Sequence, residues 1–386
     1  MSQFSKAHLA ALWSVPGIGQ QSFKRILYSQ KKGEISDREF WVNKYAIWQK
    51  SALSLRQVES IKKFKKEHDF CSFYQALLDK NIQVLLLRDQ AYPALLKQTA
   101  DAPRVLFVKS QQAVTAATWS GLNLAVVGTR RMTSYGQLVI KRLLRDIIQS
   151  SQARVVSGFM YGVDVTAMKL AQHLSQTIGV LAYGFDHCFP QYQQQLMQDM
   201  LANGAIFVSE YPPQTMPCAG SFVQRNRIIA GLAQLTLVIE AGRQSGSLIT
   251  AQRALDYGRP VLATPGPITN PYSRGCCQLL NQGAYLLSSL EDFWRAVKDA
   301  GLSEQVYRVA SSPSLKQQAN QPLADKRSAS LSQVITQTLA EQGGQLSIDQ
   351  LVELTQQPRE QLLASLFDLQ IKQRLSMEGQ NYVLSA

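Results

Sequence analysis

Acidic side chains are scarce in this 386-residue sequence, which has 27 Asp and Glu against 40 Lys and Arg and a formal net charge of +13. This imbalance indicates a polyanionic partner, either a nucleic acid or an anionic membrane surface. Long apolar runs are also missing, since no stretch approaches the roughly 18 residues that a membrane-spanning helix needs. The first residues combine no basic run with an apolar one, so we expect no signal peptide and a soluble, cytoplasmic protein.

Metal and nucleotide motifs are equally scarce. The five cysteines are an odd number without C-x-x-C spacing, and the four histidines stand alone, which excludes a disulfide framework and a zinc ribbon. No G-x-x-x-x-G-K-[ST] motif occurs, which argues against a P-loop nucleotidase. We therefore expect no metal, no cofactor and no catalytic residues. A content of 45% hydrophobic and 17% charged residues is nevertheless that of a globular protein.

The basic charge is unevenly distributed. Residues 1–75 and residues 76–300 each carry a net +7, whereas residues 301–386 carry −1. A Ser-, Gln- and Pro-rich stretch near residues 303–330 is typical of a flexible linker. We predict a helical domain over 1–78, an α/β core over 79–300, a linker over 301–329 and a separate domain over 330–386.

Both flanking segments have patterns of small helical domains. The turn Val15-Pro-Gly-Ile-Gly19 between two helical stretches resembles a helix–hairpin–helix or SAM-like domain, whose backbone amides can contact DNA. The C-terminal segment predicts three short helices and a hairpin around Gly379, the pattern of a winged helix. Its third helix carries few basic residues, so we favour protein contact or self-association there over duplex DNA.

The middle segment alternates apolar β-type runs with helical stretches. Near-continuous apolar strands separated by helices indicate a parallel sheet covered on both faces, here a Rossmann-like doubly wound core. The predicted strands are Leu122–Val127, Arg154–Ser157, Ile178–Tyr183, Ala205–Ser209, Leu235–Glu240 and Pro260–Thr264.

Three of the predicted strands end in glycine-rich polar loops, and ligands of such sheets bind at the carboxyl ends of the strands. In the first loop, Gly128 and Thr129 precede Arg130, so backbone amides and a guanidinium suit a phosphate oxygen. The loop lacks G-x-G-x-x-G, and the acidic residue at the expected distance, Asp146, falls within a helix. Both features argue against NAD.

The second and third loops have the same character. Ser157, Gly158 and Gly162 form a tight turn before Asp164, which either belongs to the site or only caps the following helix. The third loop predicts an anion nest at a helix N-terminus. Its residues are Ser245, Gly246, Ser247 and Thr250.

A cationic and aromatic segment lies between the second and third loops. Phe222 precedes Arg225, Asn226 and Arg227, which combines a base-stacking ring with phosphate-neutralising guanidiniums and predicts a single-stranded nucleic acid site. Alternatively, Arg225 or Arg227 pairs with a carboxylate, Glu210 or Glu240, and only holds the loops in place.

These blocks together resemble the DNA-processing protein A family (DprA/Smf) over roughly residues 80–295. The blocks, which occur in the family's order and spacing, are Gly128-Thr-Arg, Ser157-Gly, Gly162-Val-Asp, Ser209-Glu, Phe222 with Arg225-Asn-Arg-Ile-Ile, Glu240-Ala, Ser245-Gly-Ser-Leu-Ile-Thr-Ala, Gly258-Arg259 and Pro265-Gly. The sequence departs from the family at Met160-Tyr161, in place of a small residue, at Met168, in place of a histidine, and at Val223-Gln224, in place of a Pro-containing link.

The resemblance implies a Rossmann-like core that forms a homodimer and binds single-stranded DNA without catalysis. It also implies a role in natural transformation, in which the protein helps to load the RecA recombinase onto DNA coated with single-strand-binding protein. The DNA-binding residues that it implies include Arg259 as well as those of the three loops and of the Phe222 segment.

Two other functions remain open at this stage. An enzyme that cleaves nucleoside monophosphates would use a related fold, with Glu240 at a strand end to stabilise a ribosyl cation. The +7 of the N-terminal segment and the lack of a matched acid–base pair speak against that enzyme. A structural adaptor would use its basic charge only for solubility, and a strand-binding titration separates it from a DNA-binding protein.

Overall fold

The computed structural model describes residues 5–32, 40, 51–302, 334–340, 345–355, 357, 362, 366, 369, 375–378 and 381–384. The chain divides into two compact units, Met1–Ser311 and Ser312–Ala386. Most of the predicted linker over 301–329 lies outside the described residues, and the division at residue 311 falls within that segment.

Among the described residues before the sheet, the helices are α1 (Lys6–Ser14), α2 (Gln20–Lys31), α3 (Leu55–Glu67) and α4 (Phe70–Asp79). Side-chain caps fix where three of them begin, because an oxygen at the N-cap satisfies a free amide of the first turn. The caps of α1, α3 and α4 are Ser5, Ser54 and Asp69. The turn between α1 and α2 contains Gly17 at φ +86°, a conformation that glycine adopts readily.

An antiparallel pair of strands, β1 (Ile82–Leu86) and β2 (Val105–Lys109), connects these helices to the sheet. Between the two strands lies the short helix α5 (Ala94–Lys97). Ile82, Val84 and Phe107 pack in one cluster with apolar side chains of α1 and α3. The N-terminal helices therefore share a hydrophobic core with the edge of the sheet, and the boundary at residue 78 stays a prediction.

Strands and helices then alternate along the chain. The strands are β3 (Asn123–Gly128), β4 (Arg154–Ser157), β5 (Thr177–Leu181), β6 (Ile206–Ser209), β7 (Leu235–Ile239), β8 (Val261–Ala263) and β9 (Tyr285–Leu286). The helices are α6 (Ser134–Val139), which a π-helical turn Ile140–Leu144 joins to α7 (Arg145–Ser151), then α8 (Val163–Ala171), α9 (Gln194–Ala202), α10 (Ala219–Leu232), α11 (Gly246–Asp256), α12 (Arg274–Asn281) and α13 (Leu290–Asp299).

The nine strands form one sheet in the order β1-β2-β6-β5-β4-β3-β7-β8-β9. Pairing is parallel from β6 through to β9, and only β1 and β2 are antiparallel to their neighbours. The chain moves outward from β3 to β6, then returns to place β7 on the other side of β3. The predicted Rossmann-like core and its six strands are confirmed, and this order puts the topological switch point between β3 and β7.

Side chains of the central strands alternate between two cores. Leu124 and Val126 of β3 pack on one face with side chains of α7 and α8. Ala125 and Val127 pack on the other face with side chains of α10 and α11. Both faces are therefore covered, as expected for a parallel sheet. Within the described parts of the chain, no helix has the length and hydropathy needed to cross a membrane.

The C-terminal unit contains a small sheet and helices. Residues 334–340 are helical, and β10 (Gln345–Ser347) leads into α14 (Ile348–Thr355). The strands β11 (Leu375–Glu378) and β12 (Asn381–Leu384) pair antiparallel, with β12 between β10 and β11. A hairpin forms where it was expected, and the winged helix stays a prediction because most of the residues predicted to form its third helix lie outside the described residues.

Gly128 provides a test of how tightly β3 packs at its carboxyl end. A methyl group there would overlap the carbonyl oxygen of Ile239 and the side chain of Val163. Because backbone cannot move aside easily, we expect Gly128→Ala to destabilise the larger unit by about 1–3 kcal/mol. Gly220→Ala is the matched control, since its added methyl meets no atom within 4 Å. Denaturant unfolding measures both, and equal midpoints for the two variants would contradict the packing described here.

Candidate functional site

A crevice of about 590 Å³ opens at the carboxyl ends of β3 and β7, at the switch point of the sheet. Its walls are the loop after β3, the first half of α10 and the N-terminus of α11. Most of the predicted site residues line it, namely Gly128, Thr129, Arg130, Asp164, Phe222, Arg225, Asn226, Ser245, Gly246, Ser247 and Thr250.

The loop after β3 is held by backbone hydrogen bonds on both sides. The amide of Thr129 donates to the carbonyl of Glu240 (2.7 Å), and the amide of Val163 donates to the carbonyl of Thr129 (3.2 Å). The hydroxyl of Thr129 accepts from the amide of Arg131 (3.1 Å). The loop is thus fixed while the Arg130 side chain is exposed. An exposed guanidinium on a fixed loop can pair with a phosphate at little cost in loop entropy.

Arg130 also lies close to two aromatic rings. Its guanidinium carbon is 5.5 Å from the ring centroid of Phe222 and 5.7 Å from that of Tyr161. Cation–π contacts at these distances are favourable and restrict the positions of the side chain. The guanidinium is therefore placed at the edge of the crevice, next to the ring that the sequence indicates as a stacking platform.

The second predicted loop shapes the crevice from behind. Ser157 is fully buried and donates to the carbonyl of Val126 (2.6 Å). Gly162 has φ +85°, and a side chain there would overlap the backbone of Thr129 and Arg130. Gly158 likewise has no room for a side chain beside Arg225. Ser157 and Gly158 are buried and Gly162 is closely packed, so these three residues support the wall, and the DNA contact predicted for them stays a prediction.

Arg225 is almost completely buried, although it lines the crevice, and its contact with DNA stays a prediction. Its guanidinium donates to the carbonyls of Gly158 (2.6 Å) and Val180, and so ties the loop after β4 to β5. A carboxylate oxygen of Asp164 lies beside Gly158 on the same side as this guanidinium. Burial raises the pKa of Asp164 to about 6, and the charge of Arg225 opposes that rise. Burial also lowers the pKa of Arg225, while Asp164 acts in the opposite direction.

Two other predicted arginines lie outside the crevice. Arg227 forms an ion pair with Glu210 and also donates to the carbonyl of Asp101, so the alternative interpretation of this arginine is confirmed. Arg259 is buried and donates to the carbonyls of Ala233 (2.8 Å) and Leu95 (2.7 Å). Their hydrogen bonds to the fold give both arginines a structural role, and DNA contact by either stays a prediction.

Glu210 also joins the N-terminal helices to this region. The indole of Trp13 donates to its backbone carbonyl (2.8 Å), and the amide of Gln20 donates to its carboxylate (3.0 Å). The same carboxylate accepts from Arg227 on α10. The helix that carries Phe222 is therefore fixed on one side by the N-terminal helices.

The opposite wall is the N-terminus of α11. Ser245 caps this helix, its hydroxyl accepting from the amide of Ser247 (3.3 Å). The amide of Asn226 donates to the carbonyl of Gly246 (3.1 Å) and holds α10 against this turn. The positive end of the helix dipole faces the crevice, which favours an anion there.

Glu240 is buried at the end of β7, with φ +50°. Its carboxylate accepts from the amide (2.8 Å) and hydroxyl (2.6 Å) of Thr133 and from the amide of Asn270 (3.0 Å). It does not line the crevice. Glu240 therefore joins two loops, and these contacts do not favour the alternative in which it stabilises a ribosyl cation.

Sequence reasoning missed several residues of the crevice. Arg131 follows Arg130 directly, and its charge was the available signal. Tyr272 lies in the loop after β8, and no motif in the sequence indicates that this loop lies near β3. Its amide donates to the side chain of Asn270 (2.9 Å), which in turn bonds Glu240. Over the described parts of the chain, no group of three or more His, Cys, Asp or Glu side chains is arranged to hold a metal ion.

The raised pKa of Asp164 predicts a dependence of stability on pH. Between the ordinary value of 3.8 and about 6, the folded state binds the proton more tightly than the unfolded state, so stability falls as pH rises through this range. The effect is on the order of 2–3 kcal/mol. Asp164→Asn removes this pH-dependent loss. The unfolding free energy of the variant, relative to that of the unchanged protein, should therefore increase from pH 4 to pH 7. A difference that does not change with pH would contradict the raised pKa of Asp164.

Comparison with known proteins agrees with this architecture. The family model of DNA recombination-mediator protein A matches residues 83–298. The DNA processing protein DprA of Bacillus subtilis is 36% identical over 58% of this chain and 74% of its own length. Protein Smf of Escherichia coli is 35% identical over 65% of this chain and 67% of its own length.

Two solved structures are also similar. DprA from Streptococcus pneumoniae has a TM-score of 0.62 and 29% identity, over 76% of this chain and 98% of its own. DNA processing protein A from Helicobacter pylori, whose structure concerns single-stranded DNA binding, has a TM-score of 0.50 and 27% identity, over 56% of this chain and 96% of its own. On the match to residues 83–298 and the shared fold, this chain belongs to the DNA recombination-mediator protein A (DprA/Smf) family.

Proposed function

We propose that this chain binds single-stranded DNA in the crevice between β3 and β7. The observation that carries the proposal is the position of Arg130, an exposed guanidinium on a fixed loop beside the Phe222 ring. This arrangement offers a cation for a phosphate and a π-face for a base within one side-chain length of each other. The related protein from H. pylori, which binds single-stranded DNA, supports the same ligand class.

The phosphate and the base of a bound nucleotide would contact different walls of the crevice. The phosphate would lie between Arg130 and the N-terminus of α11, where the helix dipole and the Ser245–Ser247 turn favour an anion. The base would stack on Phe222, the partly buried ring of α10. Since every base has a π-face and every nucleotide a phosphate, such a site binds with little sequence preference.

Duplex DNA fits this crevice less well than a single strand. Stacking on Phe222 needs a base whose face is free, and in a duplex both faces of each base are covered by neighbours. Flipping a base out of the stack costs a few kcal/mol. We therefore expect a preference for single strands that increases with the contribution of Phe222.

The proposed activity is binding without catalysis. The carboxylate best placed for chemistry, Glu240, is hydrogen-bonded by Thr133 and Asn270, and the buried Asp164 faces Arg225. Family membership supports the further proposals that the protein forms a homodimer through the Rossmann-like core, that it helps to load RecA onto single-strand-binding protein-coated DNA in natural transformation, and that it acts in the cytoplasm. The C-terminal domain, which we propose is a winged helix, would contact protein.

Arg130→Ala tests the site most simply. Loss of one phosphate contact should lower affinity for all sequences and flatten the plot of log affinity against log salt by about 0.7. With about four phosphates neutralised, the slope of the unchanged protein should be near −3. Fluorescence anisotropy with labelled oligonucleotides over a salt series gives both quantities.

Arg145→Ala is the matched control, because this exposed arginine of α7 does not line the crevice. It removes the same charge from the same unit. Equal slopes for the two variants would mean that Arg130 acts only through net charge. Arg130→Ala with unchanged affinity and slope would remove Arg130 from the site.

A further inference from the structure

Aromatic side chains continue outward from the crevice beyond Phe222. The ring centroid of Phe189 is 5.6 Å from that of Phe222, with the planes inclined at 58°. The ring centroid of Tyr161 is 5.7 Å from the guanidinium carbon of Arg130, which also lies close to Phe222. Neither Tyr161 nor Phe189 lines the crevice itself. Tyr161 and Phe189, together with Arg130 and Phe222, therefore form an aromatic row that continues beyond the edge of the crevice.

These rings are accessible to solvent. Tyr161 is 39% exposed and Phe189 is 40% exposed. Single exposed aromatic residues are common on protein surfaces and need no explanation. Here the exposed rings contact residues of the candidate site, so the crevice and the exposed rings form one continuous surface.

The sheet explains why these residues form a row. Phe189 follows β5, Tyr161 follows β4, and Arg130 follows β3, and these strands are adjacent and parallel in the order β5-β4-β3-β7. Their carboxyl ends consequently lie along one edge of the sheet. Three spacings between neighbouring strands make about 14 Å from β7 to β5. This length accommodates more than one nucleotide.

Both rings are attached to fixed backbone. The hydroxyl of Tyr183 donates to the carbonyl of Phe189 (3.0 Å). Tyr161 precedes Gly162, which is packed against the backbone of Thr129 and Arg130. A ring on fixed backbone loses little entropy when a base stacks on it.

We propose that Tyr161 and Phe189 form an outer stacking subsite for bases that neighbour the one on Phe222. This inference rests on the proposed function and adds the path of the bound DNA. The single-stranded DNA leaves the crevice past Arg130 toward the carboxyl end of β5. The occupant is a nucleobase because a cation for the connecting phosphate, Arg130, lies within 5.7 Å of the ring centroids of both Tyr161 and Phe222. The subsite recognises the π-face, so it takes any base.

The test compares Phe189→Ala and Tyr161→Ala with Tyr192→Ala in the full chain. Tyr192 is the control, since it lies three residues from Phe189, is 74% exposed and belongs to neither the row nor the crevice. Affinity for labelled oligodeoxythymidine is measured by fluorescence anisotropy. Loss of one stacked base should weaken binding about 5- to 100-fold for Phe189→Ala, while Tyr192→Ala stays within about twofold of the unchanged protein.

An oligonucleotide of abasic sites separates stacking from a general structural effect. Without bases, the Phe189→Ala protein and the unchanged protein should bind equally, and Phe189→Trp should keep the affinity for oligodeoxythymidine. The salt slope should be the same for Phe189→Ala and the unchanged protein, because no charge is removed.

The outcomes distinguish this inference from the function on which it rests. If the unchanged protein binds no single-stranded DNA, the proposed function fails and the subsite with it. If it binds and both alanine variants bind equally well, or are weakened equally on abasic strands, only the outer stacking subsite is overturned. Unchanged DNA affinity would also be the result if these rings receive a protein side chain instead of a base.

Discussion

The parallel pairing of β3 with β7 is the constraint from which the site follows. Their last residues, Gly128 and Ile239, are partners in register, and the amide of Thr129 donates to the carbonyl of Glu240 one step beyond. At Glu240 the backbone turns at φ +50°. The loops that follow β3 and β7 leave the sheet in opposite directions. The crevice is the space between them. Its floor is the end of a buried sheet, so the groups around it are fixed before any ligand arrives, which lowers the entropy cost of binding.

The arginines around this crevice have two different roles, one structural and one in the proposed binding. Arg225, Arg227 and Arg259 are turned inward, and each joins segments that are distant in sequence by donating to backbone carbonyls. Arg259 satisfies carbonyls at the C-terminal end of α10, a position where a cation also suits the helix dipole. Arg130 is turned outward. The inward arginines hold α10 and its Phe222 ring in place, and the outward one is available to an anion.

Much of the fold could be predicted from the sequence, because buried parallel strands are continuous apolar runs and their spacing is regular. The three polar loops were also located, since their glycines and serines follow those runs directly. Which arginine is free could not be predicted, because that depends on carbonyls supplied by Leu95, Val180 and Ala233 far along the chain. The antiparallel strands β1 and β2 and the aromatic row of Tyr161 and Phe189 were missed for the same reason: their significance arises only from neighbours in space.

The most direct measurement is a crystal structure of the full chain with a short oligodeoxythymidine. We expect a phosphate within hydrogen-bond distance of Arg130 at the loop after β3, and a base stacked on Phe222. A strand bound elsewhere on the protein, with the crevice between β3 and β7 empty, would contradict the central claim.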